Sequence, residues 1–289
     1  MLQDDFPLVS VVIPNRNRTG PLYRCIESVR KQTYPNWEII IVDDSDSEIY
    51  AKIYSKYKNV THVSIFKGER KGDAEARLKG FKLANGKYVA FLDSDDYWEP
   101  EKLSACVEFF KKNENVKVLW DNLFVEKPGG PRMEILLNFT GAKNNIIPQR
   151  QILKLLMGEN FIHMSSGVVE REAVESIGGP LAIRPFDYIN WLILATKFDF
   201  GHVDRYLTTK VDSEDGLGSN RRILFIENWN TCRLRLQILL RDRSSFSLWE
   251  KSLLLLRIVL LSPGLHIFLP QSIRKIFRLI LYTARSYNL

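Results

Sequence analysis

Apolar and β-branched residues gather in four short runs within the first hundred positions: LVSVVIP (8–14), WEIIIVD (37–43), VTHVSIF (60–66) and KYVAFLD (87–93). Each reads as a buried strand. The segments between them, PLYRCIESVRKQ (21–32), SEIYAKIYSKY (47–57) and DAEARLKGFKLA (73–84), carry apolar residues at helical spacing instead. The last of these ends in Asn85-Gly86, which reads as a helix C-cap. Strand and helix therefore alternate, which predicts an α/β fold: a Rossmann-like, mostly parallel sheet with helices on both faces.

Beyond residue 100 the pattern predicts a helix at 101–112, a strand over VKVLWDNLFVE (116–126), and an irregular polar stretch from 138 to 150. A helix at 151–158, a short strand near 167–169, a helix from Glu172 and an apolar-faced helix at 187–198 follow. DSEDGLGSN (212–220) is small and polar and reads as a mobile loop. The C-terminal part differs in kind. RILFIENWNTCRLRLQILL (222–240) and SLLLLRIVLLSPGLHIFL (252–269) are apolar runs interrupted by Arg or by Pro263-Gly264, short of the ~20 uninterrupted apolar residues a membrane span needs. SIRKIFRLILYTARSY (272–287) sets Ile273, Ile276, Phe277, Ile280 and Leu281 against Arg274, Lys275, Arg278 and Arg285, an interfacial-helix pattern that also fits packing on the body or on a second subunit. Residues 1–220 are thus expected to form one domain, with 221–289 as a helical, basic, amphipathic extension.

Charge sharpens that division. The net charge is +7, and residues 251–289 carry six basic side chains and no acid, so residues 1–250 hold only 7 − 6 = +1. A near-neutral body with a basic, leucine-rich tail points to a membrane surface rather than to nucleic acid. The three cysteines, Cys25, Cys106 and Cys232, lie far apart without a CxxC, which argues against a zinc site or a disulfide framework and for a reducing compartment. The acidic start MLQDDFPLVS has no signal-peptide pattern, so the expected location is cytoplasmic, peripheral on the inner face of the cell membrane.

The candidate chemistry lies where the strands end. Polar clusters follow three of the four runs: Pro14-Asn15-Arg16-Asn17, Asp43-Asp44-Ser45 and Asp93-Ser94-Asp95. In a parallel sheet these ends share one edge, where ligands of such folds bind, so four carboxylates and an Arg are expected to converge on one crevice. A helix start accounts for Asp96 or Glu99, since Pro100-Glu101 opens a helix, but not for Asp93 and Asp95. Carboxylates at i and i+2 suit a hard divalent cation, Mn²⁺ or Mg²⁺, and such a metal implies a phosphorylated partner.

These motifs come in a recognisable order. VSVVIPNRNR, SVRKQTYPNWEII, the run WEIIIVDDSDS and then GERKGDAEARLKGFKLANGKYVAFLDSDD resemble the nucleotide-sugar domain of family 2 glycosyltransferases, inverting enzymes of GT-A fold, over about residues 8–210. The resemblance implies that Pro14, Asn15, Arg16, Asp43, Asp44, Arg77, Asp93 and Ser94 form the nucleotide site, with Asp44 reaching the nucleobase edge and Asp93 approaching the ribose and a metal-bound water. It assigns Asp95, with Asp93, to Mn²⁺ or Mg²⁺. The family's Ala-Arg-Asn-x-x-Gly segment appears as Ala76-Arg77-Leu78-Lys79-Gly80, so Leu78 stands where an Asn is usual. After Ile177-Gly178-Gly179 comes Asp187, preceded by Phe186 instead of the usual Glu; the resemblance makes it the catalytic base, and apolar neighbours suit a base of raised pKa. A helix N-cap is the alternative role for Asp187.

The implied partners are a nucleotide-diphosphate sugar, UDP-sugar favoured, a glycan or lipid-linked acceptor of surface polysaccharide biosynthesis, and a membrane surface; an oligomer is compatible. The loop at 212–220 carries no His, leaving Asp212 as its candidate metal ligand. His62, His163, His202 and His266 read as structural, and Ser165-Ser166 as either a turn or a contact to sugar hydroxyls. Two other readings remain: a sugar-1-phosphate nucleotidyltransferase, which would need a Gly-rich phosphate loop with a Lys where this chain has PNRNRTG, and a non-catalytic membrane-associated nucleotide-sugar binder.

Overall fold

The computed structural model describes residues 6–127, 130–135, 145–212, 221–241, 246–247, 250–252 and 254–255. Its first half is the expected alternation: β1 (Val9–Asn15), α1 (Gly20–Arg30), β2 (Trp37–Asp43), α2 (Ser47–Tyr57), β3 (Val63–Lys67), α3 (Asp73–Leu83) and β4 (Tyr88–Phe91). Then come β5 (Tyr97–Trp98), α4 (Lys102–Lys112), β6 (Val116–Glu126), β7 (Arg132–Ile135), β8 (Ile146–Ile147), α5 (Gln149–Gly158), β9 (Val168–Glu170), α6 (Arg171–Ser176), α7 (Phe186–Ala195), β10 (Asp199–Val211) and α8 (Arg221–Arg241).

One sheet runs β3-β2-β1-β4-β9-β6-β10-β5, with β7 on β6 and β8 on β10. β3, β2, β1 and β4 are parallel neighbours, and β10 is parallel to β6. β9 is antiparallel to both β4 and β6, and joins the two halves of the sheet. β1 shows why its sequence is apolar throughout. Val9, Val11 and Ile13 share a core cluster with Leu22, Cys25, Ile26 and Val29 of α1, while Val12 meets α3, where a Cβ on Gly80 would stand 2.3 Å from Val12 Cγ1. Helices on both faces leave no solvent side to β1, so alternation vanishes.

Four expectations change in detail. Gly86 is not a helix C-cap: α3 closes at Ala84, and Gly86 is needed because a Cβ there would lie 2.7 Å from Leu8 O and Ser10 N, where two backbones approach. Asp96 does not start α4, whose N-cap is Glu101. The stretch expected to be irregular to residue 150 holds β8 and the first residues of α5; residues 138–144 lie outside those described. Strand β10, which pattern reading passed over, pairs with β6 along its whole length, with register shifts around Val203–Tyr206. This irregularity leaves consecutive residues Asp204 and Arg205 exposed, which breaks the period of two.

The chain divides into two compact units, residues 1–156 with 160–214, and residues 157–159 with 215–289. In the second, Arg235 of α8 donates to Gly158 O (3.1 Å), and Phe225, Trp229 and Leu240 are exposed. The calls on 213–220 and on the tail from 256 onward fall outside the described residues. Among the described residues, no helix is long and apolar enough to cross a membrane.

Candidate active site

The C-terminal ends of β2, β1 and β4 lie side by side in the sheet, and the three polar clusters follow them. The two aspartates after β2 do different work. Asp43 is fully buried and its Oδ1 accepts from Asn15 Nδ2 (3.1 Å), from Ser45 N (3.0 Å) and from Ser45 Oγ, which knits the β1 and β2 ends together. Asn15 also donates to Arg18 O (3.1 Å), and its own carbonyl accepts Asp44 N (2.8 Å). Asp44 instead lines a cavity of about 280 Å³ with Val42, Gly68, Lys71 and Leu78, its Oδ1 accepting from Arg70 N (3.0 Å). Pro14 is buried in β1, whereas Arg16 is exposed on the loop. Among the arginines of that loop it is Arg18 that reaches the acidic cluster, pairing with Asp95 at 2.9 Å and donating to Ser94 Oγ at 3.5 Å.

Arg77, one turn into α3, is 7% exposed and sits between carboxylates: Nη2 donates to Asp93 Oδ1 (2.5 Å) and Nη1 to Asp73 Oδ2. Burial works to raise the Asp93 carboxyl, but Arg77, helped by His163 and Arg18, outweighs it and holds the group below the ordinary value. Asp95 goes the other way. Burial raises it and Arg18 only partly offsets this, with Asp93 adding repulsion. Asp96, 2% exposed, is pushed well up by burial and by Asp93, although Ser165 Oγ (2.5 Å) and Val211 N (2.9 Å) donate to its two oxygens.

His163 is not an isolated structural residue. It precedes a 3₁₀ turn, Met164–Ser166, and one ligand atom each from Asp93, Asp96 and His163 lie within 4.8 Å of one another. Its Nδ1 accepts Ser165 N (3.3 Å). Burial lowers the His163 imidazole, while Asp93 and then Asp187 pull it back up, so one ring feels both carboxylates. Nothing in the spacing of HMSSG marks it. The contact arises because β9 pairs with β4, which carries the turn before β9 back to the end of β4.

That turn is held from behind. Ser165 O accepts Trp98 Nε1 (2.8 Å), and Ser166 O accepts Lys102 Nζ (2.7 Å), whose ammonium is fully buried against Asp121. The two readings of Ser165-Ser166 resolve into a brace for the acidic cluster rather than an exposed hydroxyl pair, since both residues are buried.

Asp187 stands in the first turn of α7 behind the N-cap Pro185, so it is not the capping residue. Its Oδ2 accepts Asn160 Nδ2 (2.9 Å) and its Oδ1 accepts Tyr188 N (2.7 Å). Burial raises its carboxyl, opposed in turn by the Tyr188 N–H, His163, Arg77 and Asn160. A carboxylate of raised pKa, set apart from the acidic cluster but coupled to it through His163, suits proton abstraction from a bound hydroxyl. The cluster itself suits a hard cation. Its donors are carboxylate oxygens with one imidazole, and burial first, with repulsion from Asp93 added, holds the Asp95 and Asp96 carboxyls above the ordinary value.

The model of the Glycosyl transferase family 2 family matches residues 10–178. A putative teichuronic acid biosynthesis glycosyltransferase, TuaG, of Bacillus subtilis is 42% identical over 194 residues, covering 66% of this chain and 73% of that protein. WfaP of Escherichia coli, a UDP-Glc:alpha-D-GlcNAc-diphosphoundecaprenol beta-1,3-glucosyltransferase, is 34% identical over 190 residues, covering 66% and 71%. Among solved structures, S. aureus TarS 1–349 in complex with UDP-GlcNAc superposes with a TM-score of 0.67 at 18% identity, over 88% of this chain and 72% of that one.

Proposed function

Since this chain belongs to glycosyl transferase family 2 and is a glycosyltransferase that acts on a nucleotide sugar, we propose that it is a metal-dependent, inverting enzyme with Asp187 as its base. The donor is a UDP-sugar and the acceptor a lipid-linked glycan. The observation that carries this reading is the cluster of Asp93, Asp96 and His163, whose ligand atoms lie within 4.8 Å of one another at the end of β4, together with a separate carboxylate, Asp187, in the first turn of α7.

In this reading the nucleobase edge meets Asp44 in its cavity, Pro14, Asn15 and Arg16 shape the loop over it, and the buried Asp43 fixes that loop. Arg77 and Ser94 face the ribose and phosphates beside Asp93. Mn²⁺ or Mg²⁺ would be held by Asp93 with Asp95, and Asp96 and His163 supply further donors within reach of Asp93. Such a cation, when bound, neutralises charge on the departing diphosphate as a Lewis acid. Asp187 accepts the proton of the acceptor hydroxyl while that oxygen attacks the anomeric carbon from the face opposite the diphosphate, which inverts the configuration.

The acceptor reading draws on WfaP, whose name specifies a diphosphoundecaprenol-linked substrate. The six basic residues of 251–289, a stretch of sequence that contains no acid, fit an anionic membrane surface, which would make the protein peripheral on the cytoplasmic face. Residues 1–220 then do the chemistry and 221–289 hold them at the lipid. The test pairs wild type with Asp187→Asn, using UDP-glucose or UDP-GlcNAc and a lipid-diphosphate-linked sugar, with thermal unfolding in UDP and Mn²⁺ run alongside. The variant is expected to keep the nucleotide-dependent shift and lose transfer; full transfer by Asp187→Asn would remove the base assignment. If protein truncated after Trp249 still sediments with anionic vesicles, the tail is not the anchor.

A further inference from the structure

We propose that Asp73 is a positioning residue, which ties the donor-side Arg77 to the segment bearing the base through Arg184. The inference rests on the reading of Asp187 as base. Asp73 opens α3 and passes in sequence for an ordinary first-turn acid that offsets the helix dipole. In the folded chain its two oxygens are divided between two guanidinium groups. Oδ2 accepts Arg77 Nη1, and Oδ1 accepts Arg184 Nη1 at 2.6 Å, a contact spanning 111 positions.

The consequence follows from where each arginine leads. Arg77 gives its other arm to Asp93 Oδ1 at 2.5 Å, and its guanidinium carbon lies 5.7 Å from the centroid of the Phe186 ring. Arg184 is three residues before Asp187, with only Pro185 and Phe186 between them. Asp73 is therefore a carboxylate that joins the start of α3 to the approach to α7 through Arg184, and to the end of β4 through Arg77. Were it uncharged, Arg77 would retain its pair with Asp93, but the bridge from Arg77 through Asp73 to Arg184 would be broken.

Partly exposed ion pairs contribute little to stability, so the role assigned to this one is geometric. Misplacing a catalytic group by about an ångström costs up to ~100-fold in rate, which is where a coupling residue has leverage. The arrangement fixes the distance from the donor phosphates, read by Arg77 and Asp93, to the carboxylate that takes the proton.

The test compares Asp73→Asn, Asp73→Glu, Arg184→Ala and the double variant Asp73→Asn/Arg184→Ala with wild type, on the donor and acceptor pair that gives turnover. Each single neutralising variant is expected to lower kcat by about tenfold while leaving the donor KM and the UDP–Mn²⁺ thermal shift within about threefold. The double variant should be no slower than the worse single one, because both break the same link, and Asp73→Glu should recover part of the rate. Amide hydrogen exchange at residues 184–190, an activity-independent readout, should quicken in Asp73→Asn with UDP and Mn²⁺ bound. Multiplicative losses in the double variant, unchanged exchange at 184–190, or a nucleotide shift lost in step with kcat would overturn the proposal. Transfer surviving in Asp187→Asn removes the base assignment instead, whereas an inactive Asp187→Asn beside a fully active Asp73→Asn removes only the role of Asp73.

Discussion

The backbone N–H of Asp93 donates to the hydroxyl of Ser165 at 3.1 Å across 72 positions of sequence, and the same hydroxyl donates to Asp96 Oδ2 at 2.5 Å. One buried Oγ thus orients two members of the acidic cluster. Ser165→Ala removes the donor to a buried carboxylate and the acceptor of a backbone N–H at once, at a cost of about 1–3 kcal/mol. The expected outcome is a lower unfolding midpoint together with weaker Mn²⁺ dependence of nucleotide binding, read by thermal unfolding across a Mn²⁺ titration. A variant that lost stability but kept its Mn²⁺ midpoint would reduce Ser165 to a packing role.

Much of this brace is invisible in sequence for a physical reason. The βα alternation of the first hundred residues is legible because each strand is buried on both faces and each helix on one, so burial writes its period into the chain. The strand-end aspartates were legible because a parallel sheet puts those ends on one edge. His163, Arg18 and Asp73 were not. His163 arrives through an antiparallel pairing of β9 with β4 that no local period announces, and Arg18 rather than Arg16 meets Asp95 because of how the loop after β1 turns. Strand β10 escaped because its register shifts leave Asp204 and Arg205 exposed in mid-strand.

The base should show itself in the pH profile. The Asp187 carboxyl is raised above its ordinary value, chiefly by burial, and only its ionised form accepts a proton. As pH falls through that raised pKa, kcat/KM should fall tenfold per unit, so the acid limb lies above the ordinary Asp range of about 3.9. Asn160 donates to the ionised form and holds the pKa down. Asn160→Ala is therefore expected to move the limb to higher pH and leave the plateau rate little changed. A limb that stays in place in that variant would mean Asp187 is not the group being titrated.

Cation dependence separates the members of the acidic cluster. Mn²⁺ at 100 times its dissociation constant should stabilise the nucleotide-bound protein by about 2.7 kcal/mol, and excess chelator should abolish that gain. Asp93→Asn and Asp95→Asn are both expected to remove the Mn²⁺-dependent part of the UDP shift. His163→Ala decides whether the imidazole belongs to the set: loss of Mn²⁺ dependence makes it a donor, while an unchanged Mn²⁺ midpoint leaves it as the ring that couples Asp93 to Asp187.

The buried pair behind the site predicts an asymmetry in stability. Lys102 and Asp121 have no exposed side-chain surface, and Lys102 Nζ also donates to Ser166 O at 2.7 Å. Lys102→Met leaves the Asp121 carboxylate buried without its cation, at a cost of about 3–5 kcal/mol. Replacing both as Lys102→Met/Asp121→Leu removes two desolvation penalties along with the attraction, so the double variant should be more stable than Lys102→Met alone. Denaturant unfolding of the three proteins reads this directly. The turn at Met164–Ser166 would still lack its ammonium, so the double variant is expected to regain stability without regaining the full Mn²⁺-dependent UDP shift. Recovery of both would show that Trp98 Nε1, which donates to Ser165 O at 2.8 Å, suffices to hold the brace in place.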